Sequence, residues 1–118
     1  MSRRTEQIGV LVQKVIADII QKKIKNPFLN NYLITVTGVE ITKDLSLAKV
    51  YISSVPDNNE DKIISLLQQS EGFFRKELNQ EVRMKKIPKL NFILDNTKFQ
   101  IDKIDNLIKE LPNIDSEQ

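Results

Sequence analysis

The stretch "QQSEGFFRKEL", residues 68–78, has a helical pattern with a glycine inside it. Apolar residues recur at helical spacing on both sides of Gly72, from Ile63 to Leu78. A glycine inside a helix is less favourable than an alanine by about 1 kcal/mol, so its position indicates a break in the helix. We therefore predict two helices joined by a kink. The predicted kink consists of Ser70, Glu71 and Gly72.

Two cations follow this kink. If the second helix begins near Phe73, Arg75 and Lys76 occupy its first turn, where the positive end of the helix dipole disfavours cations. A bound phosphate would remove that conflict. The stretch therefore leaves two interpretations open: the kink only shapes the fold, or it also directs the two cations towards a nucleic acid.

The residues before the kink predict one helix and a hairpin. Residues 5–24 carry apolar side chains at helical spacing, and residues 33–42 and 47–55 are rich in the β-branched types that favour strands. Residues 43–46 form the turn between these two strands, which we expect to be antiparallel. The apolar phase of the first strand slips at Gly38, which predicts a β-bulge there.

The residues around and after the kink complete the order of elements. Asp57 and Glu60 resemble a capping box at the start of the first kinked helix. A basic connector, "RMKKIPK" at 83–89, leads to a third strand at 90–95. An amphipathic pattern at 97–111 predicts a final helix.

The predicted order is α-β-β-α-(kink)-α-β-α, which is an α+β fold. The connection through the kinked helices should make the second and third strands parallel, with a right-handed crossover. We expect a three-stranded mixed sheet with helices on one face. The predicted boundaries are a single domain at 3–111 and a disordered acidic tail at 112–118.

The composition excludes several kinds of chemistry. The chain has 118 residues, 40% of them hydrophobic, and it contains no Cys and no His. Disulfides, thiol nucleophiles, the usual zinc sites and Ser-His-Asp triads are therefore excluded. Asp102 and Asp105 lie three apart on the predicted final helix, where surface solvation explains them better than a metal site. We predict no catalytic residues, no metal, no cofactor and no membrane span.

The charges of the chain are unevenly distributed. Residues 1–30 and 73–89 each carry six Lys and Arg against two Asp and Glu, although the formal net charge is only +2. Cationic side chains bind phosphates by releasing condensed counterions, so the block at 73–89 favours a nucleic-acid partner over a merely solvated face. Lys22, Lys23 and Lys25 have a simpler explanation, because cations stabilise the negative end of a helix.

The element order, with a small-x-Gly break between two helices, resembles a type II KH domain. The GxxG loop with which KH modules clamp RNA is absent. The segments "RRTEQIGVLVQKVIADII", "VTGVEITKDLSLAKVYIS" and "GFFRKELNQEVRMKKIPKLNFILDNT" closely resemble bacterial ribosome-binding factor A. The resemblance covers about residues 3–108, and Ser70 stands where that family typically has alanine.

The resemblance implies a cytoplasmic, non-catalytic assembly factor that binds the small ribosomal subunit. It implies a role in late maturation of small-subunit rRNA and in growth in the cold. The implied partner is the rRNA of free small subunits rather than whole ribosomes, with no small-molecule substrate and no membrane, and the protein is expected to be a monomer. The implied rRNA contacts are Arg75, Lys76, Arg83, Lys85, Lys86 and Lys89, followed by Arg3 and Arg4.

Two other functions remain as alternatives. One is a general KH-type RNA chaperone that binds single strands, which would bind short oligonucleotides as tightly as subunits. The other is a protein-interaction adaptor that uses its apolar elements and acidic tail, whose partners would survive nuclease treatment.

Overall fold

The computed structural model describes residues 3–95, and the α-helices and strands in this range follow the predicted order. The elements are the helix α1 (Arg3–Lys22), a short 3-10 helix (Leu29–Asn31), the strands β1 (Leu33–Ile41) and β2 (Leu47–Val55), the helices α2 (Glu60–Gln69) and α3 (Glu71–Glu81), and the strand β3 (Lys89–Leu94). The helix predicted at 97–111 and the tail at 112–118 lie outside the described residues. The α+β class is confirmed.

The sheet has the strand order β1-β2-β3. As predicted, β1 and β2 are antiparallel, and β2 and β3 are parallel. The register shifts between Val36 and Gly38, which confirms the bulge and makes Thr37 the extra residue. Because of this extra residue, Val36 and Ile41 are both buried although they lie an odd number of positions apart.

One face of the sheet is buried beneath the helices, as predicted. Alternate residues of β2, from Ala48 to Ser54, are buried, and the residues between them are more exposed. Leu90 and Phe92 continue the buried face on β3. The helical residues buried in the same core are Val12, Ile16 and Ile19 of α1, Ile63 and Leu67 of α2, and Phe74 and Leu78 of α3.

The start of α2 differs from the prediction. The helix begins at Glu60, and the side chain of its N-cap residue, Asn59, forms no capping hydrogen bond. The predicted capping box of Asp57 and Glu60 is therefore wrong. Asn59 has a left-handed backbone conformation with φ 57°, and its Nδ2 donates to the Tyr32 hydroxyl at 2.9 Å. This side chain therefore joins α2 to the segment before β1 instead of capping the helix.

The break between α2 and α3 confirms the predicted kink and centres on Ser70. This residue has backbone angles of φ −94° and ψ 12°, which interrupt the regular helix. Its hydroxyl donates to the Leu66 carbonyl oxygen at 3.2 Å, so an acceptor near the end of α2 is satisfied locally.

Gly72 is not the residue that breaks the helix. It is the second residue of α3, its φ is not positive, and a Cβ atom there would meet nothing within 4 Å. The second helix begins at Glu71, two residues before Phe73, so that this anion occupies the first turn. Arg75 and Lys76 fall in the second turn, so the expected conflict with the helix dipole does not arise.

The first helix packs closely against the edge of the sheet. Gln13 Nε2 donates to the Val36 carbonyl oxygen at the bulge, at 3.1 Å. A Cβ atom on Gly9 would lie 3.1 Å from the Val39 carbonyl oxygen. These two contacts make α1 run antiparallel to β1, and the missing side chain of Gly9 permits the close approach.

Alanine at Gly72 and alanine at Gly9 should change the free energy of unfolding differently. Gly72→Ala should raise it by about 0.5–1 kcal/mol, because alanine is the better helix former and the new methyl group has open space. Gly9→Ala should fall short of that gain by about 1 kcal/mol, because its methyl group presses on the backbone of β1. Urea unfolding of both variants measures the difference, and equal gains would contradict the close packing of α1 on β1.

Candidate RNA-binding surface

The basic connector, residues 83–89, runs from α3 to the start of β3. Pro88 is fully buried, and Met84 and Ile87 pack against the core. The Lys89 N–H donates to the Ser46 carbonyl oxygen at 3.0 Å, which holds the end of the connector beside the β1–β2 turn. Since its apolar residues anchor it, the connector presents its cations from a fixed backbone. The exposed cations are Arg83, Lys85, Lys86 and Lys89.

The two predicted cations of α3 have different surroundings. Lys76 is exposed. Arg75 is half-buried, and its guanidinium donates from Nε to the Pro88 carbonyl oxygen at 3.2 Å and from Nη2 to the Ile87 carbonyl oxygen at 3.0 Å. Arg75 therefore lies beside the connector, where the protein's own backbone engages its charge.

Two lysines that the sequence analysis did not single out lie near the connector. Lys43 belongs to the β1–β2 turn, and Lys49 lies on β2 opposite Asn91 of β3, and both lysines are exposed. Alternation along β2 is a signal that places Lys49 on the outer face. Only the pairing of β2 with β3 brings it next to the connector.

The β1–β2 turn also supplies an anion to this region. Hydrogen bonds from the side chains of Ser46 and Thr42 and from the Ser46 N–H lower the pKa of Asp44 to about 2, and the charge of Lys86 adds a smaller effect. The Asp44 Oδ1 atom accepts from the hydroxyls of Ser46 at 2.7 Å and Thr42 at 2.8 Å. Asp44 is therefore ionised at neutral pH and offsets part of the charge of Lys86.

The cations at the end of α1 have different surroundings. Lys23 forms an ion pair with Glu77 of α3, a buried residue that is only 8% exposed. This hydrogen bond raises the pKa of Lys23, and the pair joins α1 to α3. Lys22 and Lys25 are exposed. Because Glu77 is paired internally, Glu81 is the exposed anion of the segment 73–89.

The start of α1 lies towards the turn end of the sheet. Arg3 begins this helix, and Arg4 in its first turn is exposed. Because α1 runs antiparallel to β1, its first turn lies towards the end of β1 that leads into the β1–β2 turn. Arg4 and the end of the connector therefore lie towards the same end of the sheet.

Metal binding and membrane insertion find no support among residues 3–95. In this range, no three acidic, His or Cys side chains come together in a way that could hold a metal ion. None of the helices described combines the length and apolarity needed to cross a membrane.

Comparison with known proteins gives matches over nearly the whole chain. The family model described as ribosome-binding factor A matches residues 4–108. The chain is 35% identical over 112 residues to the ribosome-binding factor A of Desulforamulus reducens, an alignment that covers 94% of this chain and 92% of that protein.

Solved structures show the same similarity. The crystal structure of ribosome-binding factor A from Thermus thermophilus matches with a TM-score of 0.69 and 27% identity, covering 76% of this chain and 93% of that one. A homology model of the Thermus thermophilus protein, fitted into the cryo-EM map of its complex with the 30S subunit, matches with a TM-score of 0.64 and 26% identity, covering 78% of this chain and 96% of that one. The KH-like fold expected from the sequence is thereby confirmed.

Proposed function

The chain belongs to the ribosome-binding factor A family, and on this premise we propose that it binds the small ribosomal subunit. The observation that carries the proposal is the basic connector, whose cations are exposed on a backbone anchored by the buried Pro88. The fitted 30S complex of the Thermus thermophilus relative supports this choice of partner. We propose in addition that the protein assists late maturation of small-subunit rRNA and supports growth in the cold.

The proposed mechanism is steric and electrostatic. The basic connector docks on a bent rRNA junction and holds it in an immature or checked conformation until maturation is complete. Its cations release counterions from the rRNA phosphates, which provides affinity without sequence readout. The proposed contacts are the exposed cations Lys76, Arg83, Lys85, Lys86 and Lys89, with Arg4 and Arg3 as secondary contacts. Arg75, which the resemblance also implied as a contact, is set apart because its guanidinium donates to the backbone of the connector.

The mechanism requires no catalysis by the protein. The chain lacks the Cys and His that most nucleophilic and metal-dependent reactions use. We therefore propose a non-enzymatic factor without a cofactor or small-molecule substrate. From the family resemblance, we also propose that it acts in the cytoplasm as a monomer. A single domain at 3–111, followed by an acidic tail at 112–118, remains part of the proposal.

Sedimentation of cell lysate tests the proposed function. The protein should migrate with free small subunits, with little in the whole-ribosome fractions, and should leave the subunits as salt rises. The salt dependence should be steep, because each phosphate contact contributes about 0.9 to the slope of log K against log salt. Migration with neither fraction at low salt would contradict the proposal.

Two further measurements separate the alternatives. Short single-stranded oligonucleotides that bind as tightly as subunits would favour a general RNA chaperone instead. Co-purifying proteins that remain bound after nuclease treatment would favour a protein-interaction adaptor. We expect weak oligonucleotide binding and loss of the partners after nuclease treatment.

A further inference from the structure

Side chains from the junction of α2 and α3 cover the free edge of β3. An edge strand carries N–H and C=O groups that no neighbouring strand pairs, and β3 lies at one edge of the sheet. Gln68 Nε2 donates to the Leu90 carbonyl oxygen at 2.9 Å, and Gln68 Oε1 accepts from the Phe92 N–H at 2.9 Å. Glu71 Oε2 accepts from the Leu90 N–H at 2.8 Å. Side chains thus take the place of a fourth strand.

Arg75 extends this row from β3 onto the basic connector. Its guanidinium donates to the carbonyl oxygens of Ile87 and Pro88. Glu71 and Arg75 lie four positions apart in α3, the spacing that places helical residues on one face, and Gln68 lies at the end of α2 across the break. All three side chains are half-buried, and Gln68 Nε2 also donates to Glu71 Oε1 at 3.2 Å. The row therefore holds the backbone from the end of the connector into β3.

We propose that Gln68, Glu71 and Arg75 are positioning residues, which hold the basic connector in its binding conformation and do not contact rRNA. This inference rests on the proposed function. A connector that is already ordered loses little conformational entropy when it binds, so its cations bind more tightly than the same cations on a flexible segment. The helix junction therefore acts on rRNA through the connector that it orders.

Because Glu71 is an anion, its removal should change the affinity for rRNA in opposite directions under the two explanations, positioning and electrostatics. Removing an anion near a phosphate-binding surface strengthens binding if electrostatics alone operates. Removing a positioning residue weakens binding, whatever its charge. Arg75 provides a second distinction, since a phosphate contact adds about 0.9 to the salt slope of log K, whereas a positioning residue adds nothing.

The decisive variant is Glu71→Ala in the full chain. In the free protein, hydrogen exchange at the Leu90 amide should accelerate by about tenfold, with the Val50 amide unchanged. Affinity for small subunits should fall by about tenfold, with an unchanged salt slope. Glu71→Gln keeps an acceptor oxygen for the Leu90 N–H and should retain most of the affinity. If exchange at the Val50 amide also accelerates in the alanine variant, that variant is destabilised as a whole, and the affinity of Glu71→Gln then decides. Retained affinity agrees with the inference, and a loss as large as that of the alanine variant contradicts it.

Glu81→Ala is the matched control, because it removes an exposed carboxylate from the same helix without touching β3. Its affinity should be unchanged or higher. Arg75→Ala should weaken binding at an unchanged slope, and a slope lowered by about 0.9 would overturn its assignment. Lys85→Ala tests the proposed function separately. If Lys85→Ala weakens binding and Glu71→Ala does not, the inference fails alone, and if neither variant weakens binding, the proposed rRNA surface fails as well.

Discussion

Replacing Arg83, Lys85 and Lys86 together with alanine is expected to weaken binding to small ribosomal subunits by about a hundredfold at physiological salt. Three phosphate contacts contribute about 2.7 to the slope of log K against log salt, at about 0.9 each. Between 1 M salt and physiological salt of about 0.15 M, that slope corresponds to a factor of about a hundred in affinity. The slope itself should fall by about 2 to 3. Affinity measured over a salt series, by sedimentation of labelled protein with purified subunits, gives both quantities.

The same substitution should leave the fold intact. The three side chains are exposed, and within residues 3–95 none of them donates a hydrogen bond or joins an ion pair. Substitutions at such positions usually change the free energy of unfolding by about 0.5 kcal/mol or less. A loss of affinity without a loss of stability would therefore locate the effect at the binding surface.

A second triple variant controls for net charge. Lys14, Lys22 and Lys25 are exposed cations on or just after α1, and their replacement by alanine removes the same total charge. This variant should lose much less affinity, because only the long-range attraction is reduced. Equal losses in both variants would mean that net charge and not the connector determines binding, and unchanged binding of the connector variant at moderate salt would refute this surface.

Phe74→Ala is expected to lower the free energy of unfolding by about 3–5 kcal/mol, the range for truncation of a fully buried phenylalanine. Phe74 is 0% exposed, and the centroid of its ring lies 5.1 Å from that of Phe92. The contact joins α3 to β3 directly above the buried face of the sheet. Because small domains have a total stability of about 5–15 kcal/mol, much of the variant would be unfolded at mild urea concentrations.

The neighbouring residue is a matched control. Phe73 is chemically identical and 39% exposed, so Phe73→Ala should cost about 1 kcal/mol or less. Urea unfolding followed by circular dichroism compares the two variants. Equal losses would show that α3 is rotated about its axis relative to the described orientation.

The position of the helix break shows how far local patterns reach. Residues 68–78 predicted two helices from a glycine within an apolar rhythm, and two helices are present. The break lies at Ser70, and Gly72 continues the second helix. A sequence pattern indicates that a helix is weakened but not which residue leaves helical geometry. That residue depends on the hydrogen bonds available to the backbone on each side of the break.

The sequence likewise predicted one part of the candidate site and not the other. The exposure of Arg83, Lys85 and Lys86 agrees with their position among the polar residues of the connector. No pattern in the sequence predicted the hydrogen bonds of Arg75 to the connector backbone. No pattern predicted that Lys43 and Lys49 lie near the connector either, because about forty residues of chain separate the two segments.

The amino-acid sequence alone was sufficient for the order of the α-helices and strands of residues 3–95, the hairpin, the bulge beside Gly38 and the buried face of the sheet. Each of these follows from the spacing of apolar residues, which burial requires to repeat every two residues in a strand and every three to four in a helix. Only the tertiary structure determined that the side chains of Gln68, Glu71 and Arg75 form hydrogen bonds with the backbone of β3 and the connector. Their partners lie 12 to 24 residues away along the chain, and a polar side chain selects its partner from whatever groups the folded chain brings within hydrogen-bonding distance.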